Sequence, residues 1–271
     1  MNYTKNLDLS HDKINSVLWL KIGVPHELHY SYKTICDFYE ELPKIKKTII
    51  NENIKFLVIK SPNPTVWNMG GDLEFFIDCI KQNNYPALKD YAYKCVEGVH
   101  MINKAFETSC SVICLLEGNA YGGGFECALS ADYIIAEEQV KCSFPETIFD
   151  TFPGMGAYSF LTRKVGYEKA HQLIQSNQKW EAKDLEEMNL IWKCVEKDCA
   201  ITTLLKGFKE DLFKPKNEFE KACKVPPKEE LLTIVDIWLN GIMNLDEKTI
   251  AIMEKIVANQ KKLVLKQKTA N

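Results

Sequence analysis

Two glutamates stand beside turns, and their neighbours suggest what they could do. Glu126 closes the run Gly122-Gly123-Gly124-Phe125-Glu126, directly after an apolar stretch. Glu146 follows Phe144-Pro145 and precedes Ile148-Phe149, an apolar setting. Either one alone would ordinarily be solvated. Buried together, two carboxyls cannot both ionise easily, so one member of the pair is held protonated. Such a pair supplies an acid and a base at neutral pH.

A second glycine cluster, Trp67-Asn68-Met69-Gly70-Gly71-Asp72-Leu73, also joins a strand-like stretch to a helix-like one. Glycine lets the backbone turn with its N–H groups unblocked, and N–H groups at a helix start favour negative charge. One such cluster reads simply as a tight turn. Two suggest converging donors that stabilise charge on a carbonyl oxygen, an oxyanion hole. Competing chemistries lack their motifs: there is no dinucleotide fingerprint, no phosphate loop, no Gly-x-Ser-x-Gly elbow and no His-Glu-x-x-His. His100 and His171 have no obvious partner and read as structural.

The elements around these turns follow from hydrophobic pattern. Strands are expected at 17–23, 54–59, 112–116 and 133–136, the last two continuously apolar. A helical spacing from Ser31 to Leu42 is expected to stop at Pro43. Another helix starts at Asp72 and is broken by Asn83-Asn84-Tyr85-Pro86, and a third carries Leu88, Tyr91, Ala92, Cys95, Val96, Val99, Ile102 and Phe106 on one stripe. Continuous apolar strands alternating with helices predict an α/β fold with parallel pairing. Residues 1–198 read as this domain. Residues 199–271 read as a helical region, with one stripe at Leu231, Leu232, Val235, Trp238 and Leu239. A second stripe, at Ile250, Met253, Ile256, Val257 and Leu263, has Asp246 as N-cap; it fits a core face or a subunit seam equally.

Composition excludes some classes. Thirty-four Lys and Arg against 37 Asp and Glu give a net charge of −3, a poor match to nucleic acid or an anionic membrane. No apolar run approaches the ~20 residues of a membrane span. Residues 1–13 lack a signal core, so a cytoplasmic protein is expected. The ten cysteines read as reduced, packed thiols, and neither Cys110/Cys114 nor Cys194/Cys199 has zinc-site spacing. No metal or cofactor is expected.

Taken together, the stretch from Ile54 to Glu196 resembles the crotonase (enoyl-CoA hydratase/isomerase) superfamily. The resemblance implies an α/β crotonase-like ββα spiral core followed by a helical region used in assembly, as a trimer or a dimer of trimers. It implies that the N–H groups of Met69 and Gly123 form the oxyanion hole and that Glu126 and Glu146 are the acid/base pair. The run Pro145 to Leu161, with Asp150 and Met155 to Tyr158, is most similar to the diffusible-signal-factor synthase branch. That branch dehydrates 3-hydroxyacyl thioesters on acyl carrier protein and hydrolyses the thioester, releasing cis-2-unsaturated acids.

The pattern Arg-Pro-x-x-x-Asn-Ala is missing, and Pro25-His26-Glu27-Leu28-His29-Tyr30 stands in its place. That segment helps hold coenzyme A in hydratases, so its absence favours a carrier protein as partner. The expected acyl pocket is Trp67, Gly70, Gly124, Phe149, Phe152, Met155, Tyr158 and Leu161; for the aromatic residues, Met155 and Leu161, core packing is the other reading. A basic rim for an acidic carrier could come from Lys44, Lys46 and Lys47 or from Lys261, Lys262, Lys266 and Lys268, unless these runs are simply solvated faces. Two other functions stay open: a coenzyme A-linked enoyl hydratase or isomerase, and a non-catalytic protein that binds an acyl thioester or a signalling partner.

Overall fold

The computed structural model describes residues 6–63 and 65–269. Its main sheet has six strands in the order β1 (Leu7–Asp12), β2 (Val17–Ile22), β3 (Phe56–Lys60), β5 (Ser111–Leu116), β7 (Tyr133–Glu137) and β10 (Lys193–Val195). β1 pairs antiparallel with β2, and every later neighbour is parallel. Both faces of this sheet are buried, which is why its strands read as unbroken apolar runs. Leu18, Leu20, Leu57, Ile59, Val112, Cys114 and Ile134 face the larger core. Their alternates Val17, Phe56, Val58, Ile113, Leu115 and Ile135 face a smaller one.

α1 (Tyr32–Asn51), α2 (Leu73–Lys81) and α3 (Tyr85–Asn103) contribute to the larger core. α8 (Ala200–Lys209) covers the opposite face through Ala200 and Leu204, joined by Phe213. The later helices, α9 (Glu218–Lys224), α10 (Lys228–Ile242) and α11 (Glu247–Thr269), complete the helical segment. Leu231, Val235, Trp238 and Leu239 of α10 and Met253 of α11 belong to the larger core. Asp246 caps α11 by accepting the Thr249 N–H at 2.7 Å.

Two elements depart from the pattern reading. α1 does not stop at Pro43 but continues for two more turns. Ile45 and Ile49 extend the buried face of Ile35, Phe38 and Leu42, and burying them outweighs the hydrogen bond that proline removes. β1 was not foreseen, because only Leu7 and Leu9 of its six residues are buried and the rest of the strand is polar. In addition, α3 ends at Asn103, so Phe106 reaches the core from a following 3₁₀ turn rather than from the helical stripe.

A second, smaller sheet positions the chemistry. It runs β4 (Val66–Asn68), β6 (Asn119–Tyr121), β8 (Lys141–Ser143) and β9 (Trp180–Glu181). β4, β6 and β8 are parallel and nearly in step: Val66 pairs with Asn119, Ala120 with Cys142 and Tyr121 with Ser143. Neighbouring strands lie about 4.8 Å apart. The chain segments that leave the three strands therefore emerge side by side: Met69-Gly70-Gly71, Gly122-Gly123-Gly124 and Phe144-Pro145-Glu146. The crevice beyond the carboxyl ends of parallel strands is where α/β proteins generally bind ligands.

Candidate active site

The first two segments meet through their glycines. Gly70 has φ +97°, and a side chain there would come within 3.0 Å of the Gly123 nitrogen. At Gly124 a side chain would collide with the Asn68 carbonyl at 2.5 Å. Gly70 and Gly124 thus pack the two turns together, and it is Gly71 and Gly123 that reach the cavity. Gly123 opens α4 (Gly123–Leu129), so its N–H has no partner within the helix.

α4 carries Glu126 into the same cavity, where it is almost completely buried. One carboxylate oxygen, Oε2, accepts the N–H groups of Met155 and Ala157, both at 2.8 Å. Burial still dominates and raises its pKa to about 7, although the two amide donors oppose the shift. Glu146 comes from the 3₁₀ turn Pro145–Phe149 and lines the cavity opposite. Its Oε2 is buried and has no hydrogen-bond partner. Burial, reinforced by the charge of Glu126, pushes its pKa well above the ordinary range. Gly122 makes room for it: φ is +50°, and a Cβ there would be 2.2 Å from Glu146 Oε1.

The cavity has a volume of about 320 Å³. Phe76 of α2, Tyr91 and Cys95 of α3, and Val235 and Trp238 of α10 form an apolar wall. Ile256, Asn259, Gln260 and Leu263 of α11 close it from above. Ion pairs Lys81–Glu254 (2.6 Å) and Lys261–Glu74 (2.5 Å) fasten α11 to α2.

Several expected site residues lie elsewhere. Phe149 and Met155 line the cavity, but Trp67 and Leu161 are buried in the core. Phe152 and Tyr158, with Asp150, line a separate surface cleft; the chain turns at Asp150 (φ +54°) before α5 (Ala157–Val165) begins. His171, on α6 (Tyr167–Gln175), lies by Tyr158, and His100 is buried on α3, where burial lowers its pKa. The aromatic wall from α2, α3 and α10 was missed as a site, since its members sit on stripes that look like ordinary core faces.

The Met69 N–H differs from expectation. It donates to the Leu28 carbonyl at 2.6 Å. Tyr30 N–H donates in turn to the Gly70 carbonyl at 2.9 Å. The segment that replaces the Arg-Pro-x-x-x-Asn-Ala pattern therefore pairs with the first turn and occupies one of the two expected oxyanion donors, the Met69 N–H.

The family model for enoyl-CoA hydratase/isomerase matches residues 14–225. The chain belongs to this family. Over 236 residues, 86% of its length, it is 26% identical to the fatty acid oxidation complex subunit alpha of Vibrio parahaemolyticus serotype O3:K6 (strain RIMD 2210633). It spans only about a third (31%) of that relative. It is 35% identical over 94 residues to the mitochondrial enoyl-CoA hydratase of Pongo abelii, covering 35% of this chain and 31% of the relative. The crystal structure of enoyl-CoA hydratase from Bacillus halodurans superposes with a TM-score of 0.76 at 19% identity, covering 93% of this chain and all of that one. The fold is accordingly the crotonase fold, with its parallel sheet and surrounding helices.

All ten cysteines are free thiols, most of them buried. Among the described residues no cluster of His, Cys, Asp or Glu could hold a metal ion. No helix there is long and apolar enough to cross a membrane.

Proposed function

We propose that this protein adds water to, or removes it from, the 2,3 bond of an acyl thioester, in the manner of an enoyl-CoA hydratase. The observation that carries the reading is the pair of raised carboxyls lining one apolar cavity together with Gly123, the first residue of α4. Their environments divide the labour. Burial and the charge of Glu126 favour the protonated form of Glu146, which has a free oxygen, so it is the proton donor to the α-carbon. Glu126, near 7 and held by two amides, is available as carboxylate to take a proton from water. The Gly123 N–H stabilises the enolate oxygen. The Met69 N–H joins it once the thioester oxygen displaces the Leu28 carbonyl.

Coenzyme A is the favoured carrier. Dehydration coupled to thioester hydrolysis on a carrier protein is the weaker reading. Asp150, one of the residues on which it rested, is exposed and outside the cavity, and the curated relatives of this chain are named for the hydratase and the oxidation complex. The test is to follow loss of the conjugated enoyl group of crotonyl-CoA, alongside 3-hydroxyacyl carrier protein with mass-spectrometric detection of free acid. Hydration by wild type, falling ~10²–10⁴-fold in both Glu126→Gln and Glu146→Gln, is expected. Free acid from the carrier protein without hydration of crotonyl-CoA would overturn the reading.

A further inference from the structure

The small sheet sets Tyr121, Ser143 and Lys179 in one row. Tyr121 of β6 pairs with Ser143 of β8. β9 runs antiparallel to β8, with Lys141 opposite Glu181 and Cys142 opposite Trp180. Continued by one residue, that register places Lys179 opposite Ser143. Successive side chains of a strand point to opposite faces. Cys142 and Trp180 accordingly enter the larger core, whereas Tyr121, Ser143 and Lys179 line the cavity of the two glutamates.

Among the described residues that line this cavity, Lys179 is the only cation, and Glu126 and Glu146 are the only acids. Lys179 is exposed, so it stands at the rim and not in the apolar depth. Its Nζ lies 5.6 Å from the centre of the Tyr121 ring, a distance at which the ring face attracts an ammonium. Among the described residues no carboxylate lies within ion-pair distance of it. Glu181, the nearest acid in the chain, is taken by Lys141 at 3.4 Å. The ring thus holds at the mouth a charge that the protein leaves unmatched.

The same sheet fixes where this charge stands relative to the reacting carbonyl. Tyr30 pairs with Gly71, just beyond β4, so the segment 24–30 flanks one edge of the sheet and Lys179 the other. Met69 and Gly123 lie between them. On the first edge a groove lined by Leu28, His29 and Lys261 joins the cavity at Gln260, which lines both, and leaves a path for the carrier of the acyl group. From Gly123 toward the second edge a tail crosses two strand spacings, about 10 Å. The lysine side chain covers part of that distance, because its Nζ reaches back over Tyr121 of β6.

We propose that Lys179 selects acyl thioesters whose tail ends in a carboxylate. The proposal rests on the thioester reading for the class of ligand and adds the chemistry of its far end. The carboxylate accepts a charge-assisted hydrogen bond from the ammonium, and the methylenes before it lie against Ile148 and Phe149. A methyl-ended tail offers the ammonium nothing in place of its water.

Adipoyl-CoA and hexanoyl-CoA test this directly. They share carrier and chain length, differ only in ending in a carboxylate or a methyl, and are saturated, so neither can be hydrated. Their dissociation constants are measured by titration calorimetry on wild type, Lys179→Met, Lys179→Arg and Lys179→Glu. Wild type is expected to bind adipoyl-CoA about tenfold more tightly, with the preference shrinking as salt is added. Lys179→Arg should keep the preference, Lys179→Met abolish it and Lys179→Glu reverse it. Equal binding of the two ligands to wild type would overturn the proposal. So would a preference that survives in Lys179→Met, including the case where both ligands weaken alike, which would assign the cation to a phosphate of the carrier. Hydration of crotonyl-CoA by the same wild-type sample reports the reaction separately: its absence would sink the hydratase reading and leave the measured carboxylate preference standing.

Discussion

Replacing Glu126 with glutamine isolates what its burial does to the fold. The side chain accepts two amide N–H groups in the native state, and its pKa lies at about 7 rather than 4.5. A raised carboxyl pKa means that the native state holds the proton more tightly than the unfolded chain. Below pH 4.5 both states carry it, and its full contribution is present. As pH rises from 4.5 to 7 the unfolded chain ionises first, and native stability declines by 1.36 kcal/mol per pH unit for this one group. Across that window the loss is about 3 kcal/mol, and above 7 it levels off. Glutamine keeps a carbonyl acceptor for Met155 and Ala157 but has no proton to lose. Burial raises Glu146 in both proteins, and the variant removes only the added push of the Glu126 charge, so the difference reports the titration of the coupled pair. Urea unfolding of wild type and Glu126→Gln at half-unit steps from pH 4 to 8 measures this difference. Wild-type stability is expected to fall by about 3 kcal/mol relative to the variant between pH 4.5 and 7.5. A difference that stays flat with pH would show that Glu126 is not held in a desolvating site, and the acid/base assignment would fall with it.

Three further outcomes follow from the geometry. Gly122→Ala should displace the Glu146 carboxyl, since the new methyl would stand 2.2 Å from Oε1; crotonyl-CoA hydration should drop ~10²-fold or more while the circular dichroism spectrum is retained. Pro43→Ala should raise the urea midpoint, corresponding to roughly 1–3 kcal/mol, by restoring a hydrogen bond and removing a clash within α1; an unchanged or lower midpoint would contradict the account of that helix. Binding of a non-reactive acyl-CoA analogue should speed amide exchange in residues 24–30 as the Leu28 carbonyl leaves Met69, whereas unchanged exchange would mean that Met69 takes no part in the oxyanion hole.

The sequence made the large parallel sheet legible because strands buried on both faces cannot help but be uniformly apolar. β1 escaped notice since an edge strand buries one side of a short segment, here Leu7 and Leu9 alone. Pro43 misled because a local rule about one hydrogen bond was set against burial of Ile45 and Ile49, which only the tertiary structure reveals. At the site, Glu126, Glu146 and Gly123 could be picked out because each lies at a fixed short distance from a turn. The apolar wall of the cavity could not be found this way. Phe76, Tyr91, Cys95 and Trp238 converge from three helices, and nothing in an amphipathic stripe tells a cavity lining from a core. Proximity in sequence to Glu146 favoured Phe152, Tyr158 and Leu161 together with Met155, but only Met155 lines the cavity, while Phe152 and Tyr158 line another cleft and Leu161 is in the core. The small second sheet, with strands of two or three residues, left no periodicity to detect.

The roof supplied by α11 ties recognition to nearly the whole polypeptide. Contributors to one chamber range from Tyr30 to Leu263, with the two acids in between. Without α11 the cavity of the two glutamates would lose Ile256, Asn259, Gln260 and Leu263 from its lining, and the core would lose Met253.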